Sequence, residues 1–74
     1  MSQSKLDVNN IFRKALGWKV SNKATPLEVR DYILRLAHEN GHAAEPVDDP
    51  DKLEIKFSST GKTIGFDGEQ WRIV

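Results

Sequence analysis

The chain has no cysteine. That absence removes disulfide staples, thiolate metal sites and a cysteine nucleophile, and it suits a reducing compartment. Long apolar runs are missing too. The longest is Tyr32-Ile33-Leu34, far short of the roughly 20 residues a membrane span requires. The opening Met1-Ser2-Gln3-Ser4-Lys5 lacks the apolar stretch of a signal peptide. A cytoplasmic protein with no membrane partner is the expectation, with residues 1–4 as a disordered tail. An excess of one charge is also absent, since 11 Lys and Arg face 11 Asp and Glu. A strongly basic balance would have pointed to nucleic acid through phosphate neutralisation. The charge is instead bipolar: residues 1–37 carry seven cations against three acids, and residues 38–74 carry four against eight.

At 74 residues the chain is one domain, residues 1–74. A core of this size leaves little surplus stability, and without disulfides it relies on tight packing or a partner chain.

Two stretches have helical period. Val8, Ile11, Phe12, Ala15 and Leu16 recur at i, i+3, i+4, i+7 and i+8, one apolar stripe of an amphipathic helix. Ser4 with Asp7 three residues on reads as a capping box at its start. Gly17 reads as its left-handed stop, followed by an extended Trp18-Lys19-Val20 and a polar connector. The second helix has sharper limits. Thr25 is an N-cap, Pro26 fits the first helical position, and Glu28 completes a capping box. Val29, Tyr32, Ile33, Leu36 and Ala37 repeat the stripe, Asp31 and Arg35 are spaced to pair, and Asn40-Gly41 ends the helix.

Residues 42–52 form an acidic loop with two prolines. His42 to Val47 is placed at most on a sheet edge, because Pro46 has no N–H for a ladder. The period then drops to two. Leu53, Ile55 and Phe57 alternate with polar residues, as do Ile64 and Phe66, and Trp71 and Ile73. Ser59-Thr60-Gly61-Lys62 separates the first pair of strands. Asp67-Gly68 reads as the centre of a type I′ hairpin. The expected fold is α+β: two amphipathic helices packed on a three-stranded antiparallel meander, in the order ααβββ. Phe12, Leu36, Phe57 and Trp71 are the expected centre of the core.

Three groups of residues are candidates for chemistry. His38-Glu39-Asn40-Gly41-His42 resembles the H-E-x-x-H motif of zinc metalloproteases. That resemblance covers five residues and implies His38 and His42 as metal ligands, with Glu39 activating a bound water. It needs both histidines on one helical face, whereas Gly41 read as a helix stop puts His42 beyond it. Gly61-Lys62-Thr63 resembles the tail of a phosphate-binding P-loop, but the full motif requires glycine where Lys56 stands and a helix where a strand is expected. The third group is basic and aromatic. Arg13, Lys14, Lys19 and Lys23 flank Trp18, a combination that can neutralise phosphates and stack a base.

No catalytic triad, cofactor fingerprint or metal cluster emerges from the spacing of the remaining residues. The expected function is a non-enzymatic binding or regulatory module acting through a protein partner or by self-association, with no cofactor. The alternative is a DNA-binding regulator using the basic N-terminal half, and a more remote one is a zinc hydrolase built on His38 and His42. Ile73-Val74 is an expected site of strand pairing with another chain.

Overall fold

A computed structural model describes residues 6–47, 53–58 and 60–73. The expected tail at 1–4, the Ser4 cap, residues 48–52 of the acidic loop, Ser59 and Val74 lie outside the described residues. The elements are α1 (Val8–Asn22), α2 (Pro26–Glu39), β1 (Ala44–Pro46), β2 (Glu54–Phe57), β3 (Lys62–Phe66) and β4 (Trp71–Ile73). The strands form one antiparallel sheet in the order β1-β2-β3-β4. The chain is therefore an α+β protein with two helices on one sheet, and the meander has four strands rather than three. The added strand is the segment containing Pro46, and it takes the edge position that a residue without an N–H requires.

Helix α2 follows its sequence signals closely. Thr25 Oγ1 accepts from Glu28 N at 3.3 Å, and the Glu28 carboxylate accepts from Thr25 N at 2.9 Å, closing the capping box. At the other end Gly41 has φ 78. His42 N donates to Ala37 O at 2.8 Å and Gly41 N to His38 O at 3.1 Å, which together make a Schellman stop. The ion pair of Asp31 is made with its neighbour Arg30, at 3.8 Å, rather than with Arg35.

Helix α1 departs from expectation at both ends. It starts at Val8 with Asp7 itself as the N-cap, Oδ1 accepting from Asn10 N at 2.8 Å. It also runs through Gly17 to Asn22, so Trp18-Lys19-Val20 is helical rather than extended. A glycine inside a helix costs about 1 kcal/mol relative to alanine. Continuing the helix sets the Trp18 ring flat on Tyr32 of α2, with centroids 4.3 Å apart and planes 8° apart, and packing of this kind outweighs local propensity. The stop falls instead at Lys23, a non-glycine residue with φ 49, where Ala24 N donates to Lys19 O at 3.1 Å.

The core lies between the helices and one face of the sheet. Ile11, Ala15, Val29, Ile33, Ala37, Ile55, Phe57 and Ile64 are fully buried, and Val8, Leu36, Ala44 and Trp71 nearly so. Three of the four expected core centres are buried as read; Phe12 is only half-buried and packs at the margin. Helix α2 lies against β1 and β2, and α1 packs beside α2. The other face of the sheet carries cross-strand rows of Glu45, Lys56 and Thr63, and of Glu54, Gly65 and Arg72. A Cβ on Gly65 would stand 3.1 Å from Glu54 Cγ, so a side chain there would require the Glu54 side chain to give by a few tenths of an ångström.

The β3–β4 hairpin is offset by one residue from its sequence reading. Asp67 N donates to Gln70 O at 3.2 Å, so Gly68 and Glu69 are the central pair. Gly68 has φ 102, and among the described residues Lys23 is the one non-glycine with positive φ. A single positive φ at the first central position suits a II′-type loop, whereas I′ needs two. The offset arises because Asp67 Oδ1 accepts from both Glu69 N and Gln70 N at 2.9 Å, folding the turn around its own side chain.

Candidate functional site

The two histidines do not converge. His38 lies in the last turn of α2, and its Nε2 is 3.0 Å from Ala44 O. His42 lies beyond the Gly41 stop, and its Nε2 is 2.7 Å from Leu6 O. A carbonyl only accepts, so Nε2 carries the proton in both rings, and the two Nε2 atoms are committed to different carbonyls, Ala44 O and Leu6 O, rather than turned on one metal position. Among the described residues no group of three or more His, Asp or Glu is close enough to hold an ion. The arrangement instead ties the chain before α1 to the end of α2. Asn40 Oδ1 accepts from Leu6 N at 3.0 Å while His42 holds Leu6 O, so both backbone groups of one residue are gripped from 34 and 36 positions away. The P-loop-like Gly61-Lys62-Thr63 is the turn into β3, with a strand after it as expected.

The basic set is spread around α1. Arg13 and Lys14 are exposed, Lys19 and Trp18 are half-buried, and Lys23 is at the exposed left-handed turn. With 3.6 residues per turn, Lys14 and Trp18 share a flank, while Arg13 and Lys19 are about 120° apart around the axis. Trp18 spends one ring face on Tyr32. Helix α1 itself contains no acidic residue.

The most distinctive asymmetry is at the two edges of the sheet. In an antiparallel ladder alternate residues point their backbone groups toward the neighbouring strand. Val47 N donates to Glu54 O and Ser58 N to Ala43 O, so residues 43, 45 and 47 face β2, and Ala44 and Pro46 face outward. That edge is largely sealed. Pro46 has no N–H, and Ala44 O is held by His38. At the opposite side Phe66 N donates to Leu53 O and Asp67 N to Gln70 O. Gln70 and Arg72 therefore face β3, and the N–H and C=O groups of Trp71 and Ile73 point away from the sheet. Among the described residues they have no backbone partner.

Charge at this open edge is ordered. Arg72 Nε lies 3.0 Å from Asp67 Oδ2. The Asp67 carboxyl is held below the usual carboxylate range, first by the backbone N–H groups of Gln70 and Glu69 and then by the Arg72 guanidinium. The contact uses one of the five N–H donors of the guanidinium fork, whose side chain is 62% exposed. Sequence reading did not place Arg72 or Asp67 in a site; its nearest signals were Pro46, which blunts one edge, and Ile73-Val74, expected to pair with another chain, of which Ile73 lies in β4 and Val74 is outside the described residues. At the sealed edge a shallow depression is lined by Glu45, Pro46, Val47 and Lys56.

No helix among the described residues is long and apolar enough to cross a membrane. No protein family matches the chain, and comparison with curated proteins and with solved structures returned no match.

Proposed function

We propose that this chain is a small non-enzymatic binding module that acts through a protein partner, added as a strand at the β4 edge. One observation carries the reading: the sheet has one edge blunted by Pro46 and His38 and one edge whose Trp71 and Ile73 backbone groups face outward unpaired among the described residues. Exposed edges template the pairing of another chain, so closing one and leaving the other selects where that happens.

The test is capture of the partner from the source lysate by Ile73→Pro and Ile73→Val proteins. Proline at an outward edge position removes a donor without breaking the internal ladder. Loss of the captured protein with Ile73→Pro and its retention with Ile73→Val is the expected result. Equal capture by both, with the fold intact by circular dichroism, refutes the reading.

A second reading is DNA binding through α1, supported by the absence of acids between Val8 and Asn22 beside Arg13, Lys14, Lys19 and Lys23. It requires binding that weakens steeply with salt and is lost in Arg13→Glu or Lys14→Glu. Binding that ignores salt counts against it.

A further inference from the structure

The geometry points to the chemistry of the strand that β4 accepts: an extended segment of a partner protein with an acidic residue opposite Arg72 and apolar residues on either side of it. This rests on the reading of β4 as the docking edge and adds what the edge selects.

The three residues of β4 divide the task. Trp71 and Ile73 supply four outward backbone groups and share the inner face, where Trp71 is buried, and Ile73 and Phe66 are half-buried against the core. Side chains directly opposite Trp71 and Ile73 in an added strand therefore continue the apolar layer. Arg72 stands between them on the outer face. Its guanidinium is oriented by Asp67 through Nε, and a second carboxylate directly across the strand pair meets the remaining donors of the fork. Opposite charges facing each other across a strand pair stabilise it, and like charges destabilise it.

A second copy of this chain fits less well. The two-fold register that uses all four backbone groups pairs Trp71 with the copy's Ile73 and sets Arg72 against the copy's Arg72. A growing sheet is disfavoured as well, because at the β1 edge of the described residues Pro46 has no N–H to offer and Ala44 O is held by His38. One charged residue centred on the open edge thus disfavours self-pairing and favours an acidic partner in the same stroke, a recognised way of managing edge strands.

The probes are two capped, soluble pentapeptides, Thr-Val-Glu-Val-Thr and Thr-Val-Lys-Val-Thr, titrated into the full chain with amide NMR detection. Shifts at the Trp71 and Ile73 amides, with the Glu peptide binding about fivefold more tightly than the Lys peptide, are expected from one favourable and one unfavourable cross-strand pair. Arg72→Gln, which removes the charge but keeps a polar side chain with a hydrogen-bond donor, should abolish the difference while leaving the amide shifts. Equal binding of both peptides to the unsubstituted chain at these amides overturns the acidic preference but leaves the docking edge standing. No shift at these amides with either peptide at several millimolar overturns both. Shifts at Trp71 and Ile73 that depend on protein concentration alone, with a dimer by sedimentation, give the edge to a second copy and overturn the proposal.

Discussion

His42 offers the sharpest discrimination between a metal-site reading and a structural one. Its Nε2–H is 2.7 Å from Leu6 O, and its ring meets Phe57 edge-on with centroids 6.1 Å apart. Removing the ring with His42→Ala takes away one net hydrogen bond, worth about 1 kcal/mol, and an aromatic contact worth roughly another 1 kcal/mol. His42→Phe keeps the ring packing and should cost about 1 kcal/mol, the hydrogen bond alone. Urea unfolding followed by tryptophan fluorescence separates the two. With a slope of about 1 kcal/mol/M for a chain this small, the midpoint should fall by roughly 2 M for His42→Ala and 1 M for His42→Phe.

Two internal controls make the reasoning refutable. Asn40 and His42 grip the same residue, so losing either frees Leu6 from the other's geometry. The Asn40→Ala/His42→Ala double variant should therefore cost less than the sum of the singles, by at least about 0.5 kcal/mol. Zinc should leave the midpoint unchanged, whereas a metal held between His38 and His42 would stabilise by about 2.7 kcal/mol at a hundredfold excess over its dissociation constant. A zinc-dependent midpoint, or a His42→Ala variant indistinguishable from the parent, would falsify the clasp.

The other expectations are simpler. Phe57 is fully buried and Phe12 only half-buried, so Phe57→Ala should cost about 3–5 kcal/mol and leave the chain largely unfolded, while Phe12→Ala should cost about half as much; comparable losses in denaturation would mean the core is centred elsewhere. Glu28 and Asp67 both have carboxyl groups held below their ordinary range, Glu28 by the backbone and side chain of Thr25 and Asp67 by the backbone of Gln70 and Glu69. Groups whose pKa is lowered by folding contribute stability above the unfolded value and lose it as pH falls through the folded one. Thermal stability should therefore drop on the acid side, below about pH 4.5, and Thr25→Ala should cost about 1 kcal/mol at pH 7 and flatten that acid limb; an unchanged limb would remove the capping box as its cause.

How legible the fold was depended on the range of the determining contacts. Thr25, Pro26, Glu28 and Gly41 act within a few residues of themselves, and α2 begins and ends where they place it. The alternation of Ile55, Phe57, Ile64 and Trp71 likewise specifies its own buried face. The start of α1 is set twice over: locally by the Asp7 N-cap, and from a distance by Asn40 and His42, which hold the N–H and C=O of Leu6; no pattern near residue 6 announces partners more than 30 positions on. The three residues of β1 are extended because β2 lies beside them, and Pro46 revealed only that such a strand must be an edge. The candidate site divides in the same way. Arg13, Lys14, Trp18, Lys19 and Lys23 are conspicuous as a list, yet helical geometry distributes them. The β4 edge was legible only as Ile73-Val74 at the last strand; which of its backbone groups face outward is set by the pairs its neighbours make.

The end of α1 shows local and distant terms in direct competition. Gly17 is the better stop by propensity, and a Cβ there would meet nothing within 4 Å, so no close packing explains the glycine. The helix passes through it to bring Trp18 onto Tyr32, and the left-handed residue is then Lys23, at φ 49. A non-glycine residue there costs about 1 kcal/mol of backbone strain. Lys23→Gly relieves it, offset in part by the greater freedom of glycine in the unfolded chain, for a net gain of about 0.5 kcal/mol. Gly17→Ala, in an open helical position, should add about 1 kcal/mol independently. Were α1 to end at Gly17, the signs would reverse: alanine at residue 17 would destabilise by breaking the left-handed stop, and glycine at residue 23 would be neutral or worse. Chemical denaturation of the two single variants and the double thus decides where the helix ends, with additive gains expected for sites that share no partner.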